Sequence, residues 1–165
     1  MDIASTTPLY STPNDHTFRT GIVATQLATE SADALFNKLN VTRIGILYIN
    51  NDFGKGMASA FRASYNGKIA AEESFEQDAA DFRTQLLKMK DANTSAILLV
   101  AHLKEGGILV KQAKELGLNA QFFSDVYSIE GPEFINTAKN AAEGLIYVAP
   151  EFDTRSTAHA TASFA

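Results

Sequence analysis

The chain of 165 residues contains no cysteine, no tryptophan and only 4 prolines. Without cysteine there is no thiol nucleophile, no disulfide framework, no zinc knuckle and no iron–sulfur ligation, and either redox compartment suits such a chain. Positive charge is also scarce: 14 basic residues stand against 19 acidic ones, a net of -5. A general grip on nucleic acid needs clustered lysine and arginine to displace counterions from phosphates. No such cluster occurs, so nucleic acid is not an expected partner. Long apolar runs are missing too, and none approaches the ~20 residues that span a bilayer. Met1-Asp2-Ile3-Ala4-Ser5 lacks the basic and apolar regions of a signal peptide. What is present is an ordinary globular composition, 45% hydrophobic and 20% charged. The length suits one domain that buries roughly 70% of its unfolded surface.

Two runs, Ile44–Ile49 and Ala96–Ala101, are continuously apolar, as strands are when helices cover both faces of a parallel sheet. Lys68–Phe75, Gln121–Ser124 and Leu145–Ala149 are weaker strand candidates. The starts recur about every 25 residues, which suits βα units with short loops. Helical spacing fills the gaps. Ala28, Ala32, Leu35, Phe36 and Leu39 line one helix; Met57, Phe61 and Tyr65 line a second that is expected to end at Asn66-Gly67. Phe82, Leu86 and Met89 mark a third with Asp81 as N-cap, and Leu109, Ala113 and Leu116 a fourth closed by Gly117. Gly131-Pro132 opens a shorter fifth. The order predicts an α/β fold: a three-layer, doubly wound, mostly parallel sheet of about five strands. Residues 1–16 read as a loop segment, 17–150 as one α/β unit and 151–165 as a polar tail.

In open parallel sheets ligands sit beyond the carboxyl ends of the strands. That directs attention to Asn50–Lys55, His102–Gly106 and Asp125–Glu130. Gly54-Lys55-Gly56-Met57-Ala58-Ser59, with Glu72-Glu73 further on, is a poor dinucleotide fingerprint: the first glycine comes late and serine stands at the third position. Small residues at a helix start explain it as well. No P-loop occurs, and the acid that a phosphoacceptor site needs after the third strand is replaced by Val100-Ala101-His102. Of the three histidines, His16 and His159 lie in the terminal segments and none has metal-ligand spacing. His102 reads either as a hydrogen-bonded loop histidine or as a ligand contact. No nucleophile elbow or acid–base pair is present. Neither an enzyme nor a cofactor is expected.

Five motifs in order resemble the periplasmic type I solute-binding proteins of ATP-driven (ABC) importers, in particular the leucine/isoleucine/valine-binding group. They are Ser5-Thr6-Thr7-Pro8 with Phe18-Arg19-Thr20, Asn51-Asp52-Phe53-Gly54-Lys55-Gly56, Asp81-Phe82-Arg83 with Gln85-Leu86-Leu87, Lys111–Leu118, and Ala141-Ala142-Glu143-Gly144. The resemblance covers residues 3–153 and implies the second of two lobes that clamp a solute by hinge closure. Ile3-Ala4 would then arrive from a first lobe and Val148-Ala149-Pro150 return to it, so half the cleft would be missing. The implied function is capture of a small amino acid, branched-chain or other, or an aromatic carboxylate, outside the inner membrane. The partners would be that solute and a membrane permease. A receptor's ligand-sensing domain with the same fold is the alternative, with a flavodoxin- or dehydrogenase-like nucleotide-binding enzyme behind it.

The resemblance also implies site residues. Ser5, Thr6 and Thr7 would offer hydroxyl and amide donors to a carboxylate. Phe53 would line the cleft, or act as a hydrophobic staple on a helix beginning at Gly54. His102 falls near another aromatic wall position. Asp125 would meet an ammonium group, or cap its own loop, with Tyr127 as a neighbour. Loss of the first lobe would bare an apolar interface and favour artificial dimers.

Overall fold

The computed structural model describes residues 23–149. Five strands, β1 (Arg43–Ile49), β2 (Lys68–Phe75), β3 (Ala96–Val100), β4 (Gln121–Asp125) and β5 (Ile146–Val148), form one sheet in the order β2-β1-β3-β4-β5. Every pairing is parallel. Helix α1 (Ala24–Asp33) runs on through a wider π turn at Ala34–Lys38; α2 (Asp52–Ser64), α3 (Arg83–Asp91), α4 (Leu103–Glu115), α5 (Val126–Ile129) and α6 (Pro132–Ala138) follow. Helices α1 and α2 cover one face, while α3, α4 and α6 cover the other.

The continuously apolar strands serve both layers. Ile44, Ile46, Ala96, Leu98 and Val100 pack under α1 and α2; Leu47, Ile49, Ile97 and Leu99 pack under α3, α4 and α6. On β2 the alternation changes phase. Ile44 pairs with Ile69 but Gly45 pairs with Ala71, so Ala70 is an extra residue in the ladder. Ile69 therefore packs with α1 and α2, whereas Ala71 and Phe75 face the other layer. The same phase sends Glu72 to Arg62 on α2 (3.1 Å from Nε) and Glu73 to Lys88 on α3 (2.8 Å). The two carboxylates that follow the poor dinucleotide fingerprint thus point to opposite faces of an edge strand. Charged edge residues of this kind discourage pairing with another chain.

Left-handed residues recur where helices hand over to strands. Asn40 precedes β1, Asn93 precedes β3, Gly117 precedes β4 and Gly144 precedes β5. Gly117 closes α4 as expected, its amide and that of Leu118 returning to Lys114 and Ala113 carbonyls at 3.0 Å. Pro132 opens α6, also as expected. Two expected caps are corrected. Helix α2 ends in extended backbone at Tyr65 rather than at a left-handed Gly67, and Gly67 is small because a Cβ there would lie 2.5 Å from the Tyr65 hydroxyl. The N-cap of α3 is Phe82, with Asp81 one residue earlier accepting from the Arg83 amide. The Phe82 amide is taken up instead by buried Gln112 of α4, which also donates to the Ala80 carbonyl.

Candidate functional site

Strand order reverses between β1 and β3, because β2 lies on one side of this pair and β4 and β5 on the other. The loops leaving two such neighbours go to opposite faces and open a crevice at the carboxyl edge. Here α2 leaves to one face and α4 to the other. The crevice is thus framed by Asn51 and Phe53 after β1 and by His102 after β3.

Asn51 has extended backbone (φ -136°) and caps α2, its Oδ1 accepting from the Gly54 amide at 2.9 Å. A Cβ at Gly54 would lie 1.9 Å from the Ile49 carbonyl oxygen. Glycine therefore lets the first turn of α2 rest directly on the end of β1, and no bound phosphate is needed to explain it. The helix starts at Asp52, so Phe53 sits within the first turn and is not a staple ahead of it. Its ring is half-buried and packs against both core layers.

His102 occupies the N-cap position of α4 but makes no side-chain cap, which leaves the imidazole free to reach across the crevice. It stacks on Phe53 with ring centres 6.1 Å apart and planes 13° from parallel. Its Nε2 lies 3.2 Å from Asn51 Nδ2. The structure thus brings two of the sequence-predicted residues together and adds Asn51 as a third.

Asp125 is wholly buried at the end of β4. Its Oδ1 accepts from the Tyr127 and Ser128 amides (2.9 and 3.2 Å) and its Oδ2 from the Ser128 hydroxyl (2.6 Å). These bonds are those of a loop cap, the second of its two sequence readings. Burial raises its carboxyl above the ordinary value, opposed by the hydrogen bonds from Ser128 and Tyr127. Ser128 Oγ in turn accepts from the Ala101 amide at 3.1 Å, so the segments leaving β3 and β4 are tied together one residue before His102. With its hydrogen engaged and no exposed surface, Ser128 is not an available nucleophile. Tyr127 is 43% exposed on the same loop. Ser5, Thr6 and Thr7 lie outside the described residues.

Sequence reasoning missed Asn51 and Ser128 as members of this site. An asparagine just before a helix is a legible cap signal, but its second contact lies across the sheet. Ser128 is legible locally only as a partner of Asp125 three residues earlier; its bond to the Ala101 amide, just past β3, has no local signal.

The edge offers a flat aromatic surface, Phe53 on His102, beside the polar Asn51 amide. Two concavities, of about 240 and about 370 Å³, lie at the amino ends of the strands, near Lys114, Gln121 and Gly144 and near Thr42, Arg43 and Ser95. That is the end where parallel sheets do not usually place ligands. Among the described residues no three metal-ligating side chains cluster, and no helix is long and apolar enough to cross a membrane.

Comparison with known proteins agrees with this architecture. A leucine-binding protein from Thermotoga maritima superposes with a TM-score of 0.81 at 22% identity, covering 88% of this chain and 43% of that one. The substrate-binding protein of a branched-chain amino acid transporter from Streptococcus pneumoniae, solved with isoleucine, gives 0.77 at 27% identity, covering 88% and 42%. In sequence, the Leu/Ile/Val-binding protein of Escherichia coli is 26% identical over 141 residues, 80% of this chain and 36% of that protein. The chain thus spans well under half the length of these relatives. The family model described as periplasmic binding protein matches residues 2–165. This chain belongs to the periplasmic binding protein family, whose members bind solutes and are not enzymes.

Proposed function

We propose that this chain is the second lobe of a solute-binding component of an ABC importer. It works outside the inner membrane and delivers its solute to a membrane permease. The observation that carries this reading is the Phe53–His102 stack on the carboxyl edge, at the point where strand order reverses. A one-sided aromatic wall of this kind suits a solute whose other side is covered by a partner lobe. Residues 17–150 form the lobe, and 1–16 and 151–165 are the segments that cross to the other one. Phe53, His102 and Tyr127 supply the wall, and Ser5, Thr6 and Thr7 supply donors to a carboxylate. Asp125 serves by holding the Tyr127–Ser128 loop in place. The solute class is a small amino acid, branched-chain first, or an aromatic carboxylate, since either pairs an apolar body with an anionic end.

The test is a thermal-shift panel of leucine, isoleucine, valine and benzoate, run on this chain and on a longer chain that includes the other lobe. A solute at 100-fold its dissociation constant adds about 2.7 kcal/mol, several degrees for a domain of this size. The expected result is a shift in the longer chain and little or none in the single lobe, where half the contacts are absent and water is not excluded. A shift of the single lobe by a flavin or nicotinamide nucleotide, with no response of the longer chain to the panel, overturns the proposal.

A further inference from the structure

The Asn51–His102 contact has only one chemically consistent arrangement. Asn51 Oδ1 is assigned by the Gly54 amide, a donor that must meet an oxygen. The atom facing His102 is therefore Nδ2, which can only donate. His102 Nε2 must then be the unprotonated acceptor, and the neutral ring carries its hydrogen on Nδ1. No other hydrogen bond to this exposed ring occurs among the described residues.

We propose that Asn51 is a positioning residue: it locks His102 in the Nδ1–H tautomer, parallel to Phe53, so that the wall presents a fixed donor to a carboxylate or carbonyl oxygen of the solute. Two contacts orient the imidazole, the Asn51 amide at one edge and the Phe53 ring on one face. A group held this way loses little freedom when it meets its ligand. The solute half of this inference rests on the proposed function; the tautomer half does not.

The test is imidazole nitrogen NMR on the ligand-free chain at pH 8, where an ordinary histidine is neutral. Wild type is expected to show His102 with Nδ1 protonated and Nε2 bare, the reverse of the preference of free histidine. Asn51→Asp keeps an oxygen for the Gly54 amide but replaces the donor facing His102 with an acceptor, so the ring is expected to switch to Nε2–H. Asn51→Ser keeps a capping hydroxyl without the reach, and the free-histidine mixture should return. A role for Asn51 in capping alone predicts the same tautomer in all three proteins. That result, or Nε2–H in wild type, overturns the inference. If the tautomer switches as expected but solutes fail to shift the longer chain, the positioning stands and the solute reading falls.

Discussion

Gly54 and Asp125 show how single positions hold the candidate site in shape. At Gly54 the obstacle to a side chain is backbone: a Cβ there would lie 1.9 Å from the Ile49 carbonyl oxygen, and backbone cannot rotate away. Gly54→Ala should therefore cost about 1–3 kcal/mol, as overpacking does, read as a lower urea midpoint at unchanged slope. At Asp125 the effect depends on pH. Burial raises its folded-state value. As pH climbs from the ordinary carboxylate range, near 4, to that raised value, the unfolded chain releases this proton while the folded chain keeps it. The folded state then binds more protons, so stability falls across that window and levels off above it. Asn at this position does not titrate, and its oxygen still accepts from the Tyr127 and Ser128 amides. Asp125→Asn should flatten the fall, at a roughly constant cost of about 1–2 kcal/mol for the disturbed Ser128 hydroxyl. Urea unfolding of both proteins across that range checks the sign.

At the scale of elements, turn chemistry decides where each helix stops and how the next strand enters. Gly117 has φ +61°, and a Cβ there would meet nothing within 4 Å. Any penalty for Gly117→Ala is therefore purely one of backbone conformation, about 1 kcal/mol. Gly117→Asn should cost less, because asparagine tolerates the left-handed region. Equal stability of the two variants by thermal unfolding would contradict this. Helix α4 illustrates a different constraint: Gly107 lets it approach α6, with a Cβ there 2.8 Å from Thr137 and 3.1 Å from the Phe134 carbonyl oxygen. Gly107 thus belongs to helix packing rather than to a ligand loop. The ion pairs that anchor β2, Arg62–Glu72 and Lys88–Glu73, are partly exposed and contribute little, about 0–1 kcal/mol each.

At the scale of the molecule, the two core layers share the same strands. β1 and β3 send alternate side chains into both, so neither layer can melt while the other keeps its packing. The chain is therefore expected to unfold in one cooperative step, with far-ultraviolet circular dichroism and tyrosine fluorescence giving coincident urea transitions. Separate transitions would mean that α1 and α2 form an independently melting unit.

The α/β order, the strand spans and the helix signals at Gly117 and Pro132 were legible because they are local. Apolar runs, helical periodicity and turn residues act over a few neighbours, and a single chain displays them without a partner. Phe53 and His102 could be placed at the edge by their position after strands, but not against each other. Three features were decided only in three dimensions. The extra residue Ala70 resets which face β2 shows, and it exists only relative to the register of β1. Asn51 meets His102 because β1 and β3 are neighbours at the reversal of strand order. Ser128, already bonded to Asp125 within its own loop, also takes the Ala101 amide because the ends of β3 and β4 are neighbours. Each is a contact between segments far apart in the chain, and the pattern of one segment carries no record of which other segment it will meet.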